Sequence, residues 1–197
     1  SITEIKEFTY KHFIDSIALE KSVKDLGSKN YNIADMGTGA GFPGIPLAIV
    51  YPNLNLTLID SLNKRIKFIK ETCEILDIKN VNAIHSRAED IDRNKDYREK
   101  FDICVSRAVA NLASLSEYCL PLVKIGGSFI SYKSKGYEVE IAEAQKAIKV
   151  LGGETGNIEK FELGEYGERI LLDIKKIKST PDKYPRKAGL PTKEPIK

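Results

Sequence analysis

The chain has 197 residues, 42% apolar and 30% charged, with a net charge of +3, which suits one globular domain with a sizeable core. No apolar run approaches the ~20 residues that cross a bilayer, and Ser1-Ile2-Thr3-Glu4 carries no signal-peptide pattern, so neither a membrane nor a secreted protein is expected. Three scattered cysteines (Cys73, Cys104, Cys119) without a C-x-x-C, and two distant histidines (His12, His85), argue against disulfides and against a metal site, and the expected compartment is the cytoplasm.

Asn32-Ile33-Ala34-Asp35-Met36 reads as a strand that runs into a glycine cluster. Residues 43–51 follow as a short helix, with Pro43 and Pro46 near its first turn, where a missing amide donor costs least. Residues 54–59 form a short apolar strand ending at Asp60. Ser61 suits the N-cap of the next helix, whose Leu62, Ile66, Ile69, Cys73 and Leu76 make one apolar stripe. Residues 81–85 and 101–106 read as strands, 112–123 as a helix, Gly126-Gly127 as the turn after it, and 128–132 as a further strand. Ile141, Ala144, Ile148 and Leu151 stripe another helix, closed by Gly152-Gly153. Two last strands, near 157–163 and 169–177, form a hairpin across residues 164–167. Beyond Ser179, four prolines (Pro181, Pro185, Pro191, Pro195) exclude regular structure.

Strands separated by helices make parallel βαβ units, and the hairpin adds an antiparallel edge. The expected fold is therefore α/β and Rossmann-like, a mostly parallel sheet in one domain over residues 1–178, followed by a proline-rich tail over 179–197. Charge is concentrated at that end. Residues 175–197 carry eight Lys or Arg against Asp182 and Glu194. A basic tail on a near-neutral body points to a polyanionic partner; a solvated terminus is the plainer alternative.

Asp35-Met36-Gly37-Thr38-Gly39-Ala40-Gly41-Phe42-Pro43-Gly44 carries the chemistry. Gly37, Gly39 and Gly41 let the chain turn sharply after a strand and let backbone amides approach a ligand, at the strand ends where open α/β sheets bind ligands. Residues 39–44 satisfy the dinucleotide pattern G-x-G-x-x-G, with Asp60 near the spacing of its ribose-binding acid. Yet the strand runs into an acid, Asp35, which suits a cationic ligand better than a pyrophosphate. S-adenosylmethionine, with its sulfonium and ammonium, is favoured over NAD; a purely structural turn is the third reading. Asp60 would accept ribose hydroxyls, or serve only as a helix N-terminal charge. Ala88 and Glu89, after the third strand, would hold the adenine edge, or form a capped loop.

The segment after the fourth strand, Cys104-Val105-Ser106-Arg107-Ala108-Val109, has no Asn/Asp-Pro-Pro-Tyr/Phe for an exocyclic amine and no Pro-Cys nucleophile. Guanine N7 fits those absences, because its lone pair carries no proton and methyl transfer to it needs alignment more than a base. Arg107 could donate to guanine O6, pair structurally, or touch the donor.

These motifs, together with Asp60-Ser61-Leu62-Asn63-Lys64-Arg65, Arg87-Ala88-Glu89, Ser106-Arg107-Ala108-Val109-Ala110, Leu120-Pro121-Leu122-Val123-Lys124 and the tail Tyr184-Pro185-Arg186-Lys187-Ala188-Gly189-Leu190-Pro191-Thr192-Lys193-Glu194-Pro195-Ile196, resemble the bacterial 16S ribosomal RNA guanine-N7 methyltransferases, also called glucose-inhibited division protein B. The resemblance covers nearly the whole chain, and the tail is its most distinctive part. It implies a class I methyltransferase that uses S-adenosylmethionine, releases S-adenosylhomocysteine, and acts as a monomer on a guanine of the 530 loop in 16S rRNA or the 30S particle. It implies donor positions at Gly37, Phe42, Ala88, Glu89 and Arg107, and phosphate contacts from Arg186, Lys187 and Lys193 with Tyr184 stacking or anchoring. On that reading Arg186→Glu weakens RNA binding and spares the donor. The resemblance also implies an N-terminal helical segment (1–30) in which His12 and Asp15 either border the acceptor pocket or fix the helix. Family members usually carry further helical turns before residues 1–6, a segment expected to matter for RNA docking and not for the donor. A NAD-dependent oxidoreductase and a non-catalytic RNA-binding module remain the competing functions.

Overall fold

A computed structural model describes residues 2–107 and 110–197; Ser1, and Ala108 and Val109 of the segment after the fourth strand, lie outside the described residues. Seven strands form one sheet: β1 (Asn32–Met36), β2 (Asn55–Asp60), β3 (Val81–His85), β4 (Phe101–Ser106), β5 (Val123–Lys133), β6 (Gly153–Glu162) and β7 (Glu168–Lys176), in the order β3-β2-β1-β4-β5-β7-β6. The first five run parallel, and β7 is antiparallel to both β5 and β6. Four short helical pieces precede β1: α1 (Ile2–Phe8), a π-helical turn (Thr9–Ile14), α2 (Asp15–Ile17) and α3 (Leu19–Ser22). The remaining helices are α4 (Gly44–Val50), α5 (Asn63–Ile75), α6 (Ala88–Ile91), α7 (Leu112–Cys119), α8 (Tyr137–Val150) and α9 (Leu190–Lys193). No helix among the described residues is long and apolar enough to cross a membrane.

Helices cover both faces of the sheet, so successive strand residues enter opposite cores. Ile33, Leu56, Leu58, Ile103, Val105 and Ile130 join one cluster, and Ala34, Met36, Ile59, Cys104 and Phe129 join the other. Burial on both faces explains why these strands are continuously apolar rather than alternating. Each fully buried aliphatic side chain adds about 1.5–3 kcal/mol of transfer free energy. The strand order reverses between β1 and β4, and ligands of open α/β sheets bind in the crevice beyond that reversal. Registers Met36↔Ile59 and Asp60↔His85 bring the carboxyl ends of β1, β2 and β3 to the same edge.

Several boundaries differ from the sequence reading. Helix α7 stops at Cys119, and Leu120–Leu122 tightens into a 3-10 turn around Pro121 before β5 begins at Val123. Gly126 and Gly127 therefore lie inside β5, where the pairing slips from Phe101↔Val123 to Ile103↔Ser128. A Cβ on Gly127 would sit 2.4 Å from the Asp102 carbonyl oxygen, so this bulge requires glycine. Leu62, not Ser61, occupies the N-cap of α5. Of its expected stripe only Ile66 and Ile69 are buried, and Leu62 and Leu76 are more than half exposed. The tail is not irregular throughout. Gly189 (φ +79) starts α9, and Pro191 lies in its first turn, where it lacks only an amide that a helix leaves unpaired anyway.

That tail is docked on the body. Arg98 donates to the Tyr184, Thr180 and Pro181 carbonyls (3.0, 2.9 and 3.3 Å), and Arg93 donates to the Pro185 carbonyl (2.7 Å). Lys176 is buried; it donates to the Leu120 carbonyl and to Thr180 Oγ1, and pairs with Glu99 at 3.0 Å.

Candidate functional site

Beyond the carboxyl ends of β1–β4 lies a cavity of about 1100 Å3. Its floor is the glycine turn. Gly37 and Thr38 donate their backbone amides to the Ile59 carbonyl (2.9 and 3.1 Å), which fastens the turn to the end of β2. Gly37, Thr38, Gly39, Ala40 and Phe42 line the cavity, whereas Asp35 and Gly41 do not. Gly39 (φ +63) has open space where a Cβ would stand, so its bareness faces the cavity. Gly41 (φ +98) is a packing requirement, because a Cβ there would meet Ile45 Cγ1 at 2.6 Å.

Asp35 was expected beside a ligand; the structure places it wholly buried under the turn. Its Oδ2 accepts the Thr38 hydroxyl (2.7 Å) and the Gly44 amide (2.9 Å), while Oδ1 has no hydrogen-bond partner among the described residues. Burial pushes its carboxyl up to about 6, against those two hydrogen bonds, which pull it down. The acid thus braces the glycine turn from below and caps the first amide of α4.

Asp60 ends β2 with its side chain at the cavity wall. It accepts the amides of Gly39 (Oδ2, 3.0 Å) and Leu62 (Oδ1, 2.9 Å) and a guanidinium N–H of Arg65 (3.1 Å). The wall continues through Ser86, Arg87, Ala88 and Glu89 after β3, and Glu89 is 8% exposed. Its Oε1 accepts the Gly189 amide from the tail at 2.8 Å, and Gly189 itself lines the cavity.

At the opposite end the N-terminal segment closes over Phe42. The rings of Phe8, His12 and Phe13 stand 6.3, 5.2 and 5.5 Å from the Phe42 ring, and the Arg107 guanidinium lies 5.4 Å from its centroid. Arg107 donates to the Lys11 carbonyl (3.2 Å), to Asp15 Oδ2 (3.0 Å) and to His12 Nδ1 (3.0 Å). Since a guanidinium only donates, His12 Nδ1 must accept and the ring proton resides on Nε2. Burial, and then Arg107, lower the His12 pKa, so the ring is neutral near pH 7. Burial raises the Asp15 carboxyl, with Arg107 and Arg169 opposing. The π-helical turn that carries His12 was not read from the sequence; such turns are frequent at functional sites. A second cavity, about 750 Å3, adjoins the first through His12, Arg107 and Ala110, and Lys11, Asp15, Lys133 and Arg169 line it.

The tail residues divide. Arg186 is not available to a phosphate as it stands: its guanidinium forks onto Glu117 (Nε–Oε1 3.0, Nη2–Oε2 2.8 Å), whose side chain is 1% exposed. Tyr184 is half-buried against the core. Lys187 and Lys193 are exposed. Glu117 is the residue sequence reasoning missed, although a lone carboxylate among Leu112, Leu115 and Cys119 signals a buried partner. Arg65, Thr38 and Gly189 carried no separate signal. Among the described residues no group of three or more His, Cys, Asp or Glu is placed to hold a metal ion.

A family model described as GidB, rRNA small subunit methyltransferase G, matches residues 1–170. The ribosomal RNA small subunit methyltransferase G of Desulforamulus reducens is 51% identical over 197 residues, all of this chain and 81% of the relative. That of Lachnoclostridium phytofermentans is 52% identical over the same shares. Among solved structures, the YcgJ protein from Bacillus subtilis superposes with a TM-score of 0.63 at 12% identity, over 83% of this chain and 99% of that one. M. jannaschii TYW2 in complex with AdoMet gives 0.62 at 18% identity, over 83% and 77%. Both share the fold of this chain. The nicotinamide and binding-only readings give way to the methyltransferase one: the chain belongs to the rRNA small subunit methyltransferase G family.

Proposed function

We propose that the chain transfers a methyl group from S-adenosylmethionine to N7 of a guanine in 16S rRNA, in the 530 loop, acting as a cytoplasmic monomer on the RNA or the 30S particle. One observation carries the choice of donor. The first amide of α4, which a dinucleotide would need for its pyrophosphate, is already taken by the buried carboxylate of Asp35. An internal acid at that point repels phosphate and tolerates a sulfonium and an ammonium.

The residues present fit the donor. Gly39 leaves room for close approach, Gly37 lines the cavity beside it, Asp60 and Glu89 offer carboxylate oxygens for ribose hydroxyls and an adenine edge, and Phe42 would pack on the donor. The bound donor supplies an electrophilic methyl. Guanine N7 brings its own lone pair and no proton, so the protein's task is alignment rather than proton removal. Arg107 and His12 stand where the two cavities meet, and there they orient the base. Arg107, held by Asp15 and the Lys11 carbonyl, points its charge without being free to swing. Neutral His12 keeps an Nε2–H donor for a base oxygen while leaving N7 unprotonated. Exposed Lys187 and Lys193 contact phosphates, and Arg186 acts indirectly by fixing the segment that carries them.

Equilibrium titration with S-adenosylhomocysteine and with NAD tests the donor assignment. Binding of the former and not of NAD supports it; binding of NAD alone overturns it.

A further inference from the structure

The tail does more than carry cations. Gly189 is a wall of the cavity, and its amide holds Glu89 Oε1 at 2.8 Å across 100 residues of sequence. The segment around it is fastened to α7 at three further points. Arg186 forks onto Glu117, Ser114 Oγ donates to the Pro191 carbonyl (2.7 Å), and the Tyr118 hydroxyl bonds Thr192 Oγ1 (3.0 Å). Tyr118 and Leu115, on the same helix, also line the cavity. Without the Gly189 amide, Glu89 would regain rotamers that donor binding must then freeze.

We propose that residues 184–193 are a wall of the methyl-donor site, with Gly189 a positioning residue for Glu89, so that donor binding and tail docking are coupled; this rests on the cavity being the donor site. The coupling is reciprocal: a donor that needs the docked tail tightens the docking. Lys187 and Lys193 flank Gly189 on this segment and are exposed, so the element that completes the donor wall also presents cations to RNA. On this proposal donor and RNA strengthen each other's binding, in contrast to the expectation that the tail serves RNA alone.

The test is calorimetric titration of wild type, Gly189→Ala and Arg186→Lys with S-adenosylhomocysteine, paired with the rate of trypsin cleavage after Lys187. In Gly189→Ala the added Cβ meets no atom within 4 Å, and only the positive φ is strained, so the body keeps its fold. Arg186→Lys keeps the charge and loses the fork. Both variants are expected to weaken S-adenosylhomocysteine binding by about fivefold or more, raising the donor KM while kcat at saturating donor is nearly unchanged. In wild type, S-adenosylhomocysteine is expected to slow cleavage at Lys187. Faster cleavage in the variants with an unaltered dissociation constant overturns the proposal and leaves the donor assignment standing. So does wild-type cleavage that is indifferent to the ligand, whatever the variants' stability. Wild type that binds no S-adenosylhomocysteine overturns the donor assignment itself.

Discussion

The Asp60 carboxylate accepts the Gly39 amide at 3.0 Å, joining residues 21 apart in sequence and tying the end of β2 to the glycine turn of β1. The same carboxylate takes the Leu62 amide and an Arg65 N–H. It therefore sets the shape of the turn while the residue itself lines the cavity.

Asp60→Ala removes both functions. Affinity for S-adenosylhomocysteine should fall by roughly 10–100-fold, about 1.4–2.8 kcal/mol, in a calorimetric titration. Binding of 16S rRNA at matched salt, measured without donor, should change little. A variant that retains donor affinity would mean that Asp60 only shapes the loop.

The glycines of the turn should separate stability from binding. Gly41→Ala drives a Cβ to 2.6 Å from Ile45 Cγ1 at φ +98, costing roughly 2–4 kcal/mol from overpacking and left-handed strain and lowering the Tm by several degrees. Gly39→Ala meets no protein atom, costs about 1–2 kcal/mol from φ alone, and places its methyl in the donor cavity. Its expected signature is a disproportionate loss of donor affinity. Thermal melts alongside titrations read both.

Asp35 gives a pH signature. Its carboxyl is raised to about 6, chiefly by burial, above its unfolded value near 3.8. An acid with a raised folded pKa binds more protons folded than unfolded between those values. The contribution of Asp35 to stability is thus greatest at low pH and is lost as pH rises toward about 6. Asp35→Asn keeps an oxygen for Thr38 and Gly44 and has no charge to bury. The Tm of Asp35→Asn minus that of wild type should become more favourable as pH rises from 4 to 7. A flat difference would show that the buried carboxylate is stabilised by something beyond those two bonds.

Arg107→Lys should keep the charge and lose the planar fork that joins Asp15, His12 and the Lys11 carbonyl. The expected effect is a fall in kcat of roughly 10–100-fold with donor affinity changed less. An equal loss of both would place Arg107 on the donor rather than on the base.

Much of this was legible before the structure. Strands β1, β2 and β4 read clearly because burial on both faces makes them largely apolar, and the glycine turn and Asp60 follow from the ends of β1 and β2; β3, at the sheet edge with one buried residue, carries a weaker signal. Gly126-Gly127 misled, because glycine marks a bulge as readily as a turn, and only the close approach of the Asp102 carbonyl decides between them. Asp35 was found by its position, but its burial was not, since strand-end acids look alike in sequence whether they face a ligand or lie under a loop. Arg186 was read by charge alone. Its partner Glu117 is 69 residues away, and no local periodicity links the two. The docking of Gly189 on Glu89 is of the same long-range kind.

The most direct measurement is methyl transfer from radiolabelled S-adenosylmethionine to 16S rRNA and to 30S particles from cells lacking the enzyme, with the modified nucleoside identified by mass. The expected result is 7-methylguanosine at a single guanine in the 530 loop, formed more slowly by Asp60→Ala at subsaturating donor. Transfer to another atom or base, or none from a protein that binds the donor, would contradict the assignment of guanine N7 as acceptor.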